Sequence, residues 1–120
     1  MKETEKHNER IAKITLASVF PHYVKKVESK GRTKEELYQV VEWLTSFNQK
    51  QLQKFIEKDV TFETFFDKAF LNPNAEKITG LICGYRIEEI QNPLTRKIRC
   101  LDKLIDELAK GKKIEKILRQ

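Results

Sequence analysis

Cysteine, proline and glycine are scarce in this chain of 120 residues, at two, three and four. Two cysteines without a Cys-x-x-Cys spacing, Cys83 and Cys100, accompanied by only two histidines, supply neither a disulfide framework nor a zinc site. So little Pro and Gly excludes collagenous and low-complexity architectures. No apolar run reaches the roughly 18 residues that a membrane span requires, so no membrane partner is expected. There is no Asn-Gly or Asp-Gly turn and no sustained apolar/polar alternation, which leaves a sheet with little support. No internal repeat of the solenoid type occurs. Met1 to Arg10 (MKETEKHNER) is too acidic and polar for a signal or transit peptide, and a cytoplasmic protein is expected.

What is present is the composition of a folded domain: 39% apolar and 35% charged residues, with 24 Lys and Arg against 18 Asp and Glu for a net charge of +6. A single domain of this size can bury about two-thirds of its unfolded surface without staples. The pattern predicts a flexible charged tail over residues 1–10 and one helical domain over 11–120. Ile11 to Leu16 is short and β-branched and is compatible with either an extended or a helical lead-in. A first helix is expected from Ser18, as cap, to about Lys30, with Pro21 in its first turn and Gly31 as its stop. Thr33 followed by Glu36 is a capping box, after which Leu37, Val40, Val41 and Leu44 line one helical face. Asn48 and Thr61 are expected to cap two further helices, the second carrying Phe62, Phe65, Phe66, Ala69 and Phe70 to the heart of the core. Asn72-Pro73 and Asn92-Pro93 each read as an N-cap followed by a first-turn proline. The first of these would carry Ile78, Leu81 and Ile82 to a stop at Gly84, with Gly80 inside the helix. The second opens a long helix with Leu94, Ile98, Leu101, Leu104, Ile105 and Leu108 on its apolar edge, ending at Gly111 before a brief terminal helix through Ile114, Ile117 and Leu118. The fold class expected is all-α, a single compact domain of five to seven orthogonally packed helices.

Several stretches, namely Leu16 to Leu37 (LASVFPHYVKKVESKGRTKEEL), Trp43 to Gln49 (WLTSFNQ), Thr61 to Phe66 (TFETFF), Ile78 to Ile90 (ITGLICGYRIEEI) and Asn92 to Arg119, resemble the bacterial domain-of-unknown-function 2200 family. The resemblance covers nearly everything after residue 10. It implies no activity and no catalytic residues, because that family is uncharacterised. Within it, His22 stands where an apolar residue is usual and Cys100 where a tyrosine is usual, which the resemblance sets against a shared metal or thiol role.

Candidate chemistry is sparse. Cys83 falls at the expected C-terminal end of a helix, where the dipole disfavours thiolate, so a buried and inert thiol is expected there and at Cys100. Ser18 and His22 are four apart and share a helical face, but no Asp orients the imidazole and no Gly-rich oxyanion turn accompanies them. Glu88 and Glu89 are adjacent and point apart, which argues against a paired acid and base. No P-loop, Rossmann, HExxH or EF-hand spacing is present, and no cofactor, metal ligand or catalytic residue is assigned.

Charge distribution says more. Residues 96–119 hold nine basic and four acidic side chains, a net +5, and the rest of the chain carries only +1. At about 100° per residue, Arg96, Arg99, Lys103 and Lys110 fall nearly opposite the apolar stripe of their helix. With Lys112 and Lys113 they form a candidate polyanion-binding strip, whose alternative is an ordinary solvated face knitted by i, i+4 pairs such as Lys103 with Glu107. Residues 33–44 and 48–58 also admit a helix-turn-helix reading, with Gln49, Lys50, Gln51, Gln53 and Lys54 on the second helix. The leading functional expectation is a non-catalytic interaction module with a protein partner or a second copy of the chain, and the alternative is sequence-nonspecific nucleic-acid or polyanion binding.

Overall fold

The protein was analysed as a computed structural model that describes residues 4–120. Its α-helices are α1 (Glu5–Ala12), α2 (Leu16–Glu28), α3 (Lys34–Thr45), α4 (Gln49–Glu57), α5 (Phe62–Lys68), α6 (Pro93–Ala109) and α7 (Ile114–Ile117). A two-stranded antiparallel hairpin, β1 (Leu81–Ile82) and β2 (Tyr85–Arg86), lies between two 3-10 turns at Pro73–Lys77 and Ile87–Glu89. The fold is therefore mostly α, as the apolar periodicity predicts.

The helix starts follow from cap chemistry. Thr33 Oγ1 accepts from the Glu36 amide at 3.1 Å while Glu36 Oε1 accepts from the Thr33 amide at 3.0 Å, which closes the capping box. Asn48 and Gln51 repeat the arrangement at α4, and Thr61 and Asn92 cap α5 and α6. Gly111, at φ +90°, ends α6 in the left-handed region that a side chain would strain.

Helix α6 is the axis of the molecule. It touches α1, α2, α3, α5, α7, β1 and the second 3-10 turn, and Ile98, Leu101, Leu104, Ile105 and Leu108 are buried along it. Beside it, Phe47, Phe55, Phe65 and Phe66 meet ring against ring, with centroids 4.7 to 5.7 Å apart.

Five sequence expectations change. Residues 5–10 are helical rather than a tail: Thr4 caps α1, Ile11 and Ala12 bury its end, and Asn8 Oδ1 accepts from Thr95 Oγ1 at 2.7 Å. Residues 1–3 of the expected tail lie outside the described residues. The open reading at 11–16 resolves both ways, because Ile11 and Ala12 finish α1 while Thr15 makes an antiparallel bridge with Thr61. That bridge holds Thr15 extended and makes it the cap of α2, so the helix starts at Leu16 instead of after Ser18 and Pro21 falls inside it. The phenylalanine helix stops at Lys68, and Phe70 beyond it is 77% exposed.

The largest change concerns residues 78–90. Asn72-Pro73 starts only a five-residue 3-10 turn, and the expected helix to Gly84 is replaced by the hairpin. Three backbone positions forbid the helix: Gly80, Cys83 and Gly84 have φ of +102°, +52° and +82°. Cys83 and Gly84 are the two central residues of the turn, and positive φ at both is the type I′ pattern that suits a tight hairpin. Ile82 and Tyr85 face each other across the ladder and are buried, whereas Leu81 and Arg86 point outward. Cys83 is consequently exposed at the turn, not buried at a helix end.

Phe65 is fully buried, and Phe65→Ala should cost about 3 to 5 kcal/mol in chemical denaturation; an unchanged midpoint would contradict its place in the ring cluster. Thr33→Ala should cost about 1 kcal/mol and speed hydrogen exchange at the Glu36 amide, which loses its acceptor.

Candidate functional site

The candidate polyanion strip does not form one exposed surface. Arg99 is mostly covered and pairs with Asp102 at 3.1 Å, and Lys103 Nζ donates to the Leu81 carbonyl at 3.0 Å on the hairpin. Lys110 pairs with Asp106 at 3.0 Å and Lys112 with Glu107 at 3.3 Å. Arg96 is half-buried, and Lys113 is exposed at the cap of α7. A helical wheel assigns a solvent face by assuming one packed side; α6 is packed on several, so its basic edge faces α1, the hairpin and the C-terminal segment.

Other candidates disperse in the same way. Ser18 Oγ donates to the Thr15 carbonyl at 2.8 Å, and Ser18 and His22 are both exposed with no hydrogen bond between them. Glu88 Oε1 accepts from the Gly80 amide at 3.0 Å, which fixes the base of the hairpin. α3 and α4 are joined through Ser46, Phe47 and Asn48, and Gln49, Lys50, Gln53 and Lys54 are exposed on α4 while Gln51 serves its capping box. Among the described residues no three His, Cys, Asp or Glu side chains are grouped to hold a metal.

The structure does assemble a polar cluster that no local motif announces. Tyr23 Oη donates to Asp102 Oδ1 at 3.2 Å, Arg99 donates to Asp102 Oδ2, and the Arg99 guanidinium lies 5.2 Å above the Tyr85 ring. His7 stacks on Tyr85 and places Nε2 3.3 Å from Arg99. Burial raises the Asp102 carboxyl above the ordinary aspartate range despite Arg99 and Tyr23. Burial and the neighbouring Asp102 charge push the Tyr23 phenol well up. These groups satisfy one another, apart from a buried Arg99 Nε without an acceptor, and they fasten α1, α2 and the hairpin to α6. The legible trace in the sequence is the i, i+3 spacing of Arg99 and Asp102 alone.

A second charge clamp closes the C-terminus. Both terminal nitrogens of the Arg119 guanidinium donate to Glu107, at 2.7 and 2.8 Å, and Lys112 Nζ donates to Glu107 Oε2 at 3.3 Å. Burial pushes Glu107 up, but these cations outweigh it and hold the carboxyl below its ordinary value of 4.5.

An open apolar surface remains between α2 and the α3–α4 pair. A groove of about 600 Å³ is floored by Phe20, Val24 and Ile56 and edged by Pro21, Lys25, Glu28 and Lys34. It runs on into a hollow of about 310 Å³ past Tyr38, Gln53 and Glu57. Lys34 Nζ lies 5.7 Å over the Tyr38 ring, and among the described residues neither it nor Lys25 makes an ion pair.

The Glu107 clamp generates a pH prediction. A carboxyl held low in the folded state contributes stability above its unfolded value, and that contribution is lost as pH falls from about 4.5 through the folded value. Asp102, held high, works in the opposite sense. Glu107→Gln should therefore lower the urea midpoint at neutral pH, with the gap to wild type narrowing on acidification. A gap independent of pH would show that the clamp contributes no charge-dependent stability.

The profile of the family described as an uncharacterised protein conserved in bacteria, domain of unknown function 2200, matches residues 10–119. A solved structure, described as that of uncharacterised protein SP1917, is 41% identical with a TM-score of 0.86, over 92% of this chain and 91% of that one. No curated protein matches the chain. With nearly its whole length matched, the chain belongs to the domain-of-unknown-function 2200 family.

Proposed function

We propose that this member of the family is a non-catalytic protein-interaction module whose docking surface is the groove between α2 and the α3–α4 pair. Its occupant is an amphipathic helix of another protein, with carboxylates flanking an apolar stripe. One observation carries the reading: an open apolar floor made by Val24 and Ile56 lies beside Lys25 and Lys34, two cations with no ion pair among the described residues, with Glu28 and Glu57 further along the rim, on a chain of net charge +6. Apolar area supplies affinity, and unpaired rim lysines select the sign of the partner and speed encounter. A polyanion reading has less support, because Arg99, Lys103, Lys110 and Lys112 are already engaged within the chain.

Titration of the labelled protein with two synthetic amphipathic peptides tests this, one with glutamates beside a leucine stripe and one with lysines. Backbone shifts are expected at α2, α4 and the start of α3 with the glutamate peptide, and at least about tenfold weaker binding with the lysine peptide. Val24→Asp and Ile56→Asp should each abolish the response while the helical circular dichroism stays unchanged. Equal responses to both peptides, or none, would overturn the reading. So would self-association through this face, or sub-micromolar binding of a generic DNA duplex that is lost when Lys110, Lys112 and Lys113 are replaced by Gln.

A further inference from the structure

A second cavity, sharing no lining residue with the groove, opens between the first turns of α6 and residues 71–76. Its volume is about 300 Å³, at the small end of ligand pockets. Leu71, Ala75, Pro93 and Cys100 give it an apolar lining, and Arg96 and Lys97 stand at its wall with Glu76.

The cations are the unusual feature. Among the described residues, half-buried cationic side chains are otherwise engaged: Arg32 with Glu36, Arg99 with Asp102, Arg119 with Glu107 and Lys103 with the Leu81 carbonyl. Arg96 and Lys97 are also half-buried, and neither side chain makes a hydrogen bond or a close ion pair with the described residues, although the Arg96 charge is felt by Glu88. Lys97 also borders a neighbouring hollow of about 450 Å³ edged by Glu5, Glu9, Glu63 and Asp67, so Arg96 is the cation whose partial burial against this apolar lining favours an anion here, with Lys97 at its edge. Burial raises the Cys100 thiol to about 11, and the Arg96 and Arg119 charges pull against that rise. With its proton retained, Cys100 acts there as an apolar surface and not as a nucleophile.

We infer that this cavity is a binding site for a small aliphatic carboxylate, held by Arg96 and Lys97 with its hydrocarbon body against Leu71, Pro93 and Cys100. The guanidinium fork matches a carboxylate in two-point contact, and Lys97 adds a second charge. Glu76 opposes a doubly charged anion such as phosphate, because the two cations leave a net of only one positive charge once it is counted. The lining offers an uncharged body more than a polar one.

Isothermal titration and amide shift mapping with 4-methylpentanoate test the site on the full chain, with 4-methylpentan-1-ol and inorganic phosphate as comparison probes. Saturable binding of the acid is expected, with shifts at Ala75, Arg96, Lys97 and Cys100, and at least about tenfold weaker binding of the alcohol and of phosphate. Arg96→Gln should weaken the acid about tenfold or more, whereas Lys13→Gln, on an exposed lysine outside the cavity, should leave it unchanged. Cys100→Met, which fills the floor, should reduce binding independently of charge. Absence of saturable binding, equal binding of acid and alcohol, stronger binding of phosphate, or shifts confined to other surfaces would each overturn the assignment. The peptide response of the α2–α4 groove is read on different residues and stands or falls separately.

Discussion

A helix packed on most of its circumference has little solvent into which to turn its charges, and this constraint on α6 organises the rest of the molecule. Its 17 residues include charged side chains that the surrounding elements must meet. Asp102 is met by Tyr23 from α2 and Arg99 from α6 itself; Asp106 is met by Lys26 from α2 and Lys110; and Glu107 is met by Arg119 and Lys112 from the C-terminal segment. Thr95 donates to Asn8 on α1. α1, α2 and the C-terminal segment therefore each bring a specific polar partner as well as apolar area. Hydrophobic burial would tolerate α2 sliding by a turn along α6; the pairing of Tyr23 and Lys26 with Asp102 and Asp106 would not.

The hairpin shows the same dependence. Two strands of two residues each cannot persist alone in water. Here Lys103 donates to the Leu81 carbonyl and Arg99 covers the Tyr85 ring, so two cations of α6 are spent in holding it. His7 on the other side of that ring ties α1 to the same point. A side chain at Cys83 with φ +52° is uncommon outside Asn and Asp, and it is sustained by pairing on both sides of the turn.

Local chemistry was legible in the sequence, and circumferential packing was not. Thr33, Asn48, Thr61 and Asn92 all cap where their side chains predict, because an N-cap is decided by a few consecutive residues. Thr15 displaced Ser18 through a bridge to Thr61, a partner 46 residues away that no local pattern reveals. Ile78, Leu81 and Ile82 have helical spacing, yet the Cys-Gly turn and the positive φ of Gly80 override it. Periodicity groups the α6 cations on one edge, but of the four only Lys110 is exposed while Arg96, Arg99 and Lys103 are half-buried, since periodicity gives relative orientation without the number of neighbours. The polar cluster needs side chains from α1, α2, β2 and α6, and only the i, i+3 relation of Arg99 to Asp102 could be read beforehand.

Net charge acquires a different meaning once these pairings are known. A value of +6 invites a diffuse polyanion surface, but much of the basic C-terminal segment is neutralised by carboxylates of the same helix. Surface lysines in water need no partner and report little. Cations that lie against apolar surface are different, because their desolvation is uncompensated unless an anion arrives. Lys25 and Lys34 are exposed but edge the apolar α2–α4 groove, Lys34 over the Tyr38 ring, whereas Arg96 and Lys97 are half-buried at the small cavity at the start of α6. The position of a charge relative to apolar surface, more than its contribution to the total, thus separates the two hollows from the rest of the basic exterior and points each toward an occupant that combines a hydrocarbon face with a carboxylate.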